Sequence, residues 1–146
     1  MAEILMDRQQ LNAYLLDVFP ELFPTDHSPY DVVSINENEA VLALQANETH
    51  LRPGGTVSGP ALMTLADLAM YVVILGHIGP VALAVTTNLN INFMRKPSTG
   101  RLLGTARLLK LGRSLAVGDV SIASEIEPEK IVAHASLTYS IPPQKA

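Results

Sequence analysis

Cysteine is absent from all 146 residues, which rules out disulfide frameworks, thiolate zinc sites and cysteine nucleophiles. Positive charge is scarce: ten Lys and Arg face fourteen Asp and Glu, for a net charge of −4. That balance argues against broad nucleic-acid binding driven by phosphate contacts. The four histidines (His27, His50, His77 and His134) show no metal-ligand spacing, so no metal is expected. The opening Met-Ala-Glu-Ile-Leu-Met-Asp lacks the basic region and cleavage site of a secretory signal. The longest apolar run, about fifteen residues broken by Thr64 and Asp67, falls short of the roughly twenty that a membrane span requires. These absences lead to the expectation of a soluble cytoplasmic protein that engages neither membrane nor nucleic acid.

What is present supports a folded domain. Apolar residues make up 48% of the chain, enough for a substantial core at this length. Ile4, Leu5, Leu11, Leu15, Leu16 and Val18 recur at helical spacing, which predicts a short amphipathic helix over 4–18 that ends before Pro20. Pro20, Pro24 and Pro29 mark an irregular connector. From Tyr30 the period changes to two. Strands are predicted at 32–35 and 40–46, then at 84–93, 101–110, 114–125 and 131–141. Within 84–93 the alternation is strict, with Leu89, Ile91 and Phe93 on one face and Asn88, Asn90 and Asn92 on the other. Successive long strands joined by tight turns imply antiparallel pairing in an α+β sheet. The chain divides into an N-terminal helix and connector (1–29), a main domain (30–141) and a frayed tail (142–146).

The segment between the second and third strands carries the chemistry. Ala61 to Leu75 reads as a buried helix, opened by Gly54-Gly-Thr-Val-Ser-Gly-Pro60 and closed near Gly76. Inside it sits Asp67, with nothing in the stretch to neutralise it. Such a carboxylate should be partnered, shifted in pKa or placed on a cavity. Pro60, Thr64, Asp67 and Tyr71 fall on one stripe at 3.6 residues per turn, while Leu62, Leu65, Ala66, Ala69 and Val73 point towards the sheet. The polar stripe therefore faces a cleft or a second subunit. Ser58 suits the N-cap and Pro60 the first turn. The free N–H groups at this helix mouth favour a carbonyl oxygen gaining negative charge. Asp67 lies about 12 Å further along the axis. Closure of a sheet or partner chain over the stripe would let donor and carboxylate flank one substrate.

Three segments together resemble the hotdog-fold acyl-CoA thioesterases of the phenylacetate-degradation (PaaI) type. They are Thr56-Val-Ser-Gly-Pro-Ala-Leu-Met-Thr-Leu-Ala-Asp-Leu-Ala69, Leu89-Asn-Ile-Asn-Phe-Met-Arg-Lys-Pro97 and Leu111-Gly-Arg-Ser-Leu-Ala116. The resemblance covers roughly residues 30–141 and implies an antiparallel six-stranded sheet around a long central helix, here with an extra N-terminal helix. It also implies homodimers with a sheet continuous between subunits, often paired into homotetramers, and active sites at the dimer interface. On that pattern Asp67 is the general base or nucleophile, and the Gly59 N–H polarises the thioester carbonyl. Thr86, with Thr87 beside it, helps to position water. No metal or redox cofactor is implied, and coenzyme A enters only as part of the substrate. The chain departs from the pattern at Ser58-Gly59-Pro60, where His-Gly-Gly is usual, and at Arg52, where Asn is frequent.

Plainer readings stand beside these. Asp67 can be a structural acid satisfied by a neighbouring hydroxyl or by Arg52. Ser58 is most simply a cap, without triad spacing for a nucleophile. Ser58 and Thr64, which shares the stripe, are also candidates to contact substrate, and Arg52 either pairs with a carboxylate or contacts substrate. Arg95, Lys110 and Arg113 are candidates for the phosphates of coenzyme A, although scattered cations are usually just solvated. The three Asn side chains fit a sheet or subunit face as well as a pocket, and His50 and His77 read as loop residues. The leading expectation is hydrolysis of an acyl- or aroyl-CoA. The rival is a non-catalytic hotdog protein that binds an acyl-CoA or another small apolar ligand, and the missing His and Asn favour it. A dehydratase on the same fold would need a His on the helix stripe, and none is there.

Overall fold

Strands form where the apolar period is two and helices where it approaches 3.6. In the computed structural model, which describes residues 3–21 and 28–143, the chain runs α1 (Arg8–Val18), β1 (Tyr30–Asn36), β2 (Glu39–Ala46), α2 (Gly59–Ile78), β3 (Val85–Phe93), β4 (Gly100–Leu111), β5 (Leu115–Ser124) and β6 (Ile131–Ser140). The six strands make one sheet in the order β1-β2-β4-β5-β6-β3. Every pairing is antiparallel. This is the α+β hotdog arrangement that the resemblance implied.

β3 does not pair with the strand that follows it. It forms one edge of the sheet against β6, and residues 94–99 carry the chain back past β6 and β5 to β4, a span of roughly 14 Å at ordinary strand spacing. The N–H groups of Met94 and Arg95 bond Val132 O at 2.8 and 3.1 Å, and Val57 N–H bonds Pro97 O at 2.9 Å. These contacts pin the returning strap beside the mouth of α2. The other side of β3 has no strand beside it among the described residues.

α2 packs against one face of the sheet. Leu62, Leu65, Ala66, Ala69 and Val73 are all buried there, as their spacing predicts. The helix has 20 residues and a mean hydropathy of 1.8 in its most apolar window, which is enough by length and composition to cross a membrane. That corrects the reading of the run as too short. Yet 72% of that window is buried inside the protein, so α2 serves as a core helix. α1 packs on the outside of this core through Leu11 and Leu15, both fully buried.

Several boundaries differ from expectation for identifiable reasons. α1 begins at Arg8, where Asp7 and Gln10 form a reciprocal capping box that satisfies free N–H groups. Ile4 and Leu5 therefore stay outside the helix. α2 runs past Gly76 to Ile78 and is capped at Gly79, whose φ of 91° few other residues adopt. Gly76 serves close approach instead. A Cβ there would lie 2.5 Å from Ile35 Cδ1, and the Gly76 carbonyl accepts from Leu5 N–H at 2.7 Å. His77 is accordingly a buried helix residue and not a loop residue. Its Nε2 accepts from Asn38 N–H at 2.9 Å while Nδ1 meets Val73 O at 2.7 Å. His50 does lie in a connection, a short 3-10 turn spanning Glu48–His50. Most of the predicted connector (22–27) and the end of the tail (144–146) lie outside the described residues.

Candidate active site

The polar stripe of α2 opens onto space. Pro60, Thr64, Asp67 and Tyr71 line one open cavity of about 660 Å³, a volume suited to a small organic ligand. The facing wall comes from Ala82 to Thr86 and Leu89, while Phe19, at the end of α1, and Tyr139, on β6, contribute aromatic rings. Asp67 is half-buried on this wall and is not sealed in packing.

Two hydroxyls hold the carboxylate. Thr86 Oγ1 donates to Asp67 Oδ1 at 2.5 Å, and Tyr139 O–H reaches the same oxygen at 2.7 Å and the Asp67 carbonyl at 3.0 Å. Both donors approach Oδ1. Among the described residues Oδ2 receives no hydrogen bond, and no buried side-chain oxygen is left unsatisfied. It follows that Oδ2 is open to the cavity. Thr64 Oγ1 bonds back to Pro60 O at 3.0 Å, an ordinary helix contact for Thr. Of the plainer readings of Asp67, the neighbouring hydroxyl is present. Arg52 is not its partner, because it lines a different recess.

The tyrosines are kept as donors. Burial, and then the Asp67 charge, push the Tyr139 hydroxyl far above its ordinary range. Burial is also the main cause that pushes Tyr71 up to about 12, and its O–H bonds Ala82 O at 3.2 Å. Groups raised in the folded state stabilise fully below the unfolded value near 10, and that contribution is lost as pH rises through the folded value. Thermal melts are therefore expected to hold up to about pH 10 and to fall progressively towards pH 12, with tyrosinate absorbance appearing alongside unfolding. A melting temperature unchanged across that interval would contradict the assignment.

The remaining candidates lie elsewhere in the chain. Gly59 and Arg52 line a second recess of about 290 Å³ with Phe93, Arg95 and Lys96. The Phe93 ring covers Gly59, with Cζ 3.5 Å from where a Cβ would stand. Arg52 makes no ion pair among the described residues, which corrects the reading that paired it with a carboxylate. Ser58 is the N-cap of α2 and accepts from Ala61 N–H at 3.2 Å. Leu62 N–H bonds Ser58 O at 3.1 Å. Gly59 opens the helix, so its N–H has no carbonyl one turn back and no acceptor among the described residues. Thr87 sits at the β3 bulge, bonded to Thr138 O at 3.2 Å and away from the Asp67 cavity. Asn88, Asn90 and Asn92 are exposed opposite Thr138, Ser136 and His134. Lys110 and Arg113 lie at the β4–β5 turn, and Arg95 at the opposite end of the sheet. Within one chain these three cations do not converge.

The fold that carries this site, six antiparallel strands packed on one long helix, is matched in known proteins. Residues 54–131 match the thioesterase superfamily, more than half of the chain. The chain belongs to the thioesterase superfamily. A proposed thioesterase of Silicibacter sp. TM1040 superposes with a TM-score of 0.86 at 49% identity, over 97% of this chain and 96% of that one. The phenylacetic acid degradation protein PaaI of Thermus thermophilus, solved as a mutant, gives 0.67 at 29% identity, over 77% and 93%. The chain is also similar to the 1,4-dihydroxy-2-naphthoyl-CoA hydrolase of Listeria monocytogenes, 26% identical over 97 residues, or 66% of this chain and 79% of that one.

The match to the superfamily starts at Gly54 and ends at Ile131, so it stops short of Tyr139. Sequence reasoning missed this residue as well, although a signal was available. Positions 133, 135, 137 and 139 are the inward face of β6, and a Tyr on an inward face needs a partner for its O–H. Asp67 is the acid on the facing helix that finds no partner within its own segment. Phe19 gave no such signal, because nothing in the spacing of α1 says where its end docks.

Proposed function

We propose that this protein, a thioester hydrolase of its superfamily, hydrolyses acyl-CoA to the carboxylic acid and free coenzyme A. Asp67 acts on the thioester and the Gly59 N–H holds the developing oxyanion. The acid beside an apolar cavity carries this reading: Met63, Leu68, Leu83 and Leu89 offer walls for an apolar acyl group. No metal or redox group has a step in this chemistry.

The distance between the two groups bears on assembly. Asp67 and Gly59 sit on one helix, about 12 Å apart along its axis, and line separate hollows. A base and an oxyanion donor must both come within about 3 Å of the reacting group. One chain therefore does not supply both to one substrate. Antiparallel pairing of two β3 edges would resolve this, because the Val85 end of one copy would meet the Phe93 end of the other. The apolar side chains along this edge support such pairing: Leu83, Val85, Phe93 and Met94 are each half or more exposed. The Asp67 cavity of one copy then adjoins the Gly59 recess of the second. Lys110 and Arg113 stand at the Val85 end of the sheet, because Leu115, Ser140 and Val85 lie side by side. Pairing would bring them towards Arg52 and Arg95 of the second copy, where the phosphates of coenzyme A need cations.

Thiol release from a panel of aliphatic and aromatic acyl-CoAs, with sedimentation velocity on the same sample, tests this reading. Turnover of at least one thioester by a dimer or a larger even assembly is expected. A monomer that turns over thioesters would overturn the shared site. Tight acyl-CoA binding without product over hours would establish the non-catalytic alternative.

A further inference from the structure

We infer that Tyr139 is a positioning residue for this hydrolysis, fixing Asp67 so that Oδ2 alone meets the attacking water. The inference rests on the reading of Asp67 as the acting acid and adds which oxygen acts and what aims it. The carboxylate plane of Asp67 is free to turn about its last bond unless something holds one end. The one hydrogen of the Tyr139 hydroxyl is shared between Oδ1, at 2.7 Å, and the residue's own carbonyl, at 3.0 Å. One hydroxyl thus ties the side chain to its own backbone. Thr86 completes the clamp on Oδ1 from β3.

Tyr139 is held from the sheet side. The residue is 2% exposed, stands on β6 between two hydrogen-bonded neighbours and leans on Tyr71, with ring centroids 6.3 Å apart. Held in the sheet, its O–H cannot follow the carboxylate if α2 shifts, so the sheet sets the aim. Burial keeps the hydroxyl protonated, which makes it a steady donor and leaves the base role to the carboxylate.

The water oxygen adds to the thioester carbon while its proton passes to Oδ2. On collapse the C–S bond breaks, and the leaving sulfur takes that proton as free thiol. Oδ2 returns as carboxylate, and the second water proton stays on the product acid until solvent removes it. With Oδ1 already accepting two hydrogen bonds, Oδ2 is the oxygen with capacity for this proton.

Tyr139→Phe removes one hydroxyl and keeps the ring, and steady-state kinetics on an acyl-CoA that the wild type hydrolyses reads the effect. The expected result is a fall in kcat on the order of 10²-fold, as for a misaligned catalytic group, with KM within twofold and the melting temperature nearly unchanged. Thr86→Val should lower kcat in the same manner. The double variant should lose less than the product of the two factors, since both hydroxyls hold one oxygen. A Tyr139→Phe kcat within twofold of wild type overturns the inference and leaves Asp67 as the acid. A rise in KM in step with a lower melting temperature also overturns it, because that pattern marks packing alone. Full activity in Asp67→Ala removes the underlying reading, and this inference goes with it.

Discussion

Asp67→Asn is expected to lower kcat for acyl-CoA hydrolysis by about 10²–10⁴-fold, the range that a general acid–base group contributes. Asparagine keeps the size of the side chain and an amide oxygen, so Thr86 and Tyr139 retain the acceptor they bond at Oδ1. Its amide nitrogen replaces Oδ2 and takes no proton from water. Fold, assembly and KM are therefore expected to stay near wild type while turnover collapses. Circular dichroism melts and sedimentation on the same sample separate this outcome from unfolding. Activity within threefold of wild type would remove Asp67 from the chemistry. One turnover of the wild type in heavy-oxygen water tests the route: label found in Asp67 marks an anhydride opened at the Asp67 carbon, and label found only in the product acid places the attack of water on the acyl carbon.

Gly118→Ala is expected to cost about 1–3 kcal/mol, the usual penalty for overpacking a filled core. For a chain of this size that lowers the melting temperature by roughly 3–10 °C. Gly118 lies on the inner face of β5, opposite the bulge between Leu108 and Lys110. A Cβ at this position would run into the Arg107 carbonyl on β4 and lie 2.8 Å from Met70 Cε. Met70 can turn aside, since methionine is flexible. The carbonyl belongs to the β4 backbone and moves only with the strand. Gly104→Ala provides the control, because its Cβ would meet Leu65 side-chain carbon at 3.3 Å and no backbone. Its melting temperature should fall less. An equal or larger fall for Gly104→Ala would show that side-chain crowding under α2, and not the β4 backbone, sets the limit.

Much of the architecture was legible in residue order alone. Strict alternation from Asn88 to Phe93 and the long runs after Gly100 specify strands, because neighbouring side chains on a pleated chain face opposite ways. The stripe of Pro60, Thr64, Asp67 and Tyr71 specifies a shared helix face, because four residues nearly complete one turn. Both are local periodicities, which a sequence records directly. Where periodicity yielded to packing, the reading failed. Gly76 looked like a stop signal but is a point of close approach to Ile35, and that contact joins residues 41 positions apart.

Contacts between distant segments emerged only with the tertiary fold. Strand pairing puts β3 at the edge beside β6 and not next to β4, and this brings Thr86 and Tyr139 to one oxygen of Asp67. The same arrangement sends Gly59 and Asp67 to different hollows, although they share a helix. Spacing along the chain determines which way a side chain points from its own element. What it meets there depends on non-local pairing and burial across the whole domain, and no short window of sequence carries that information.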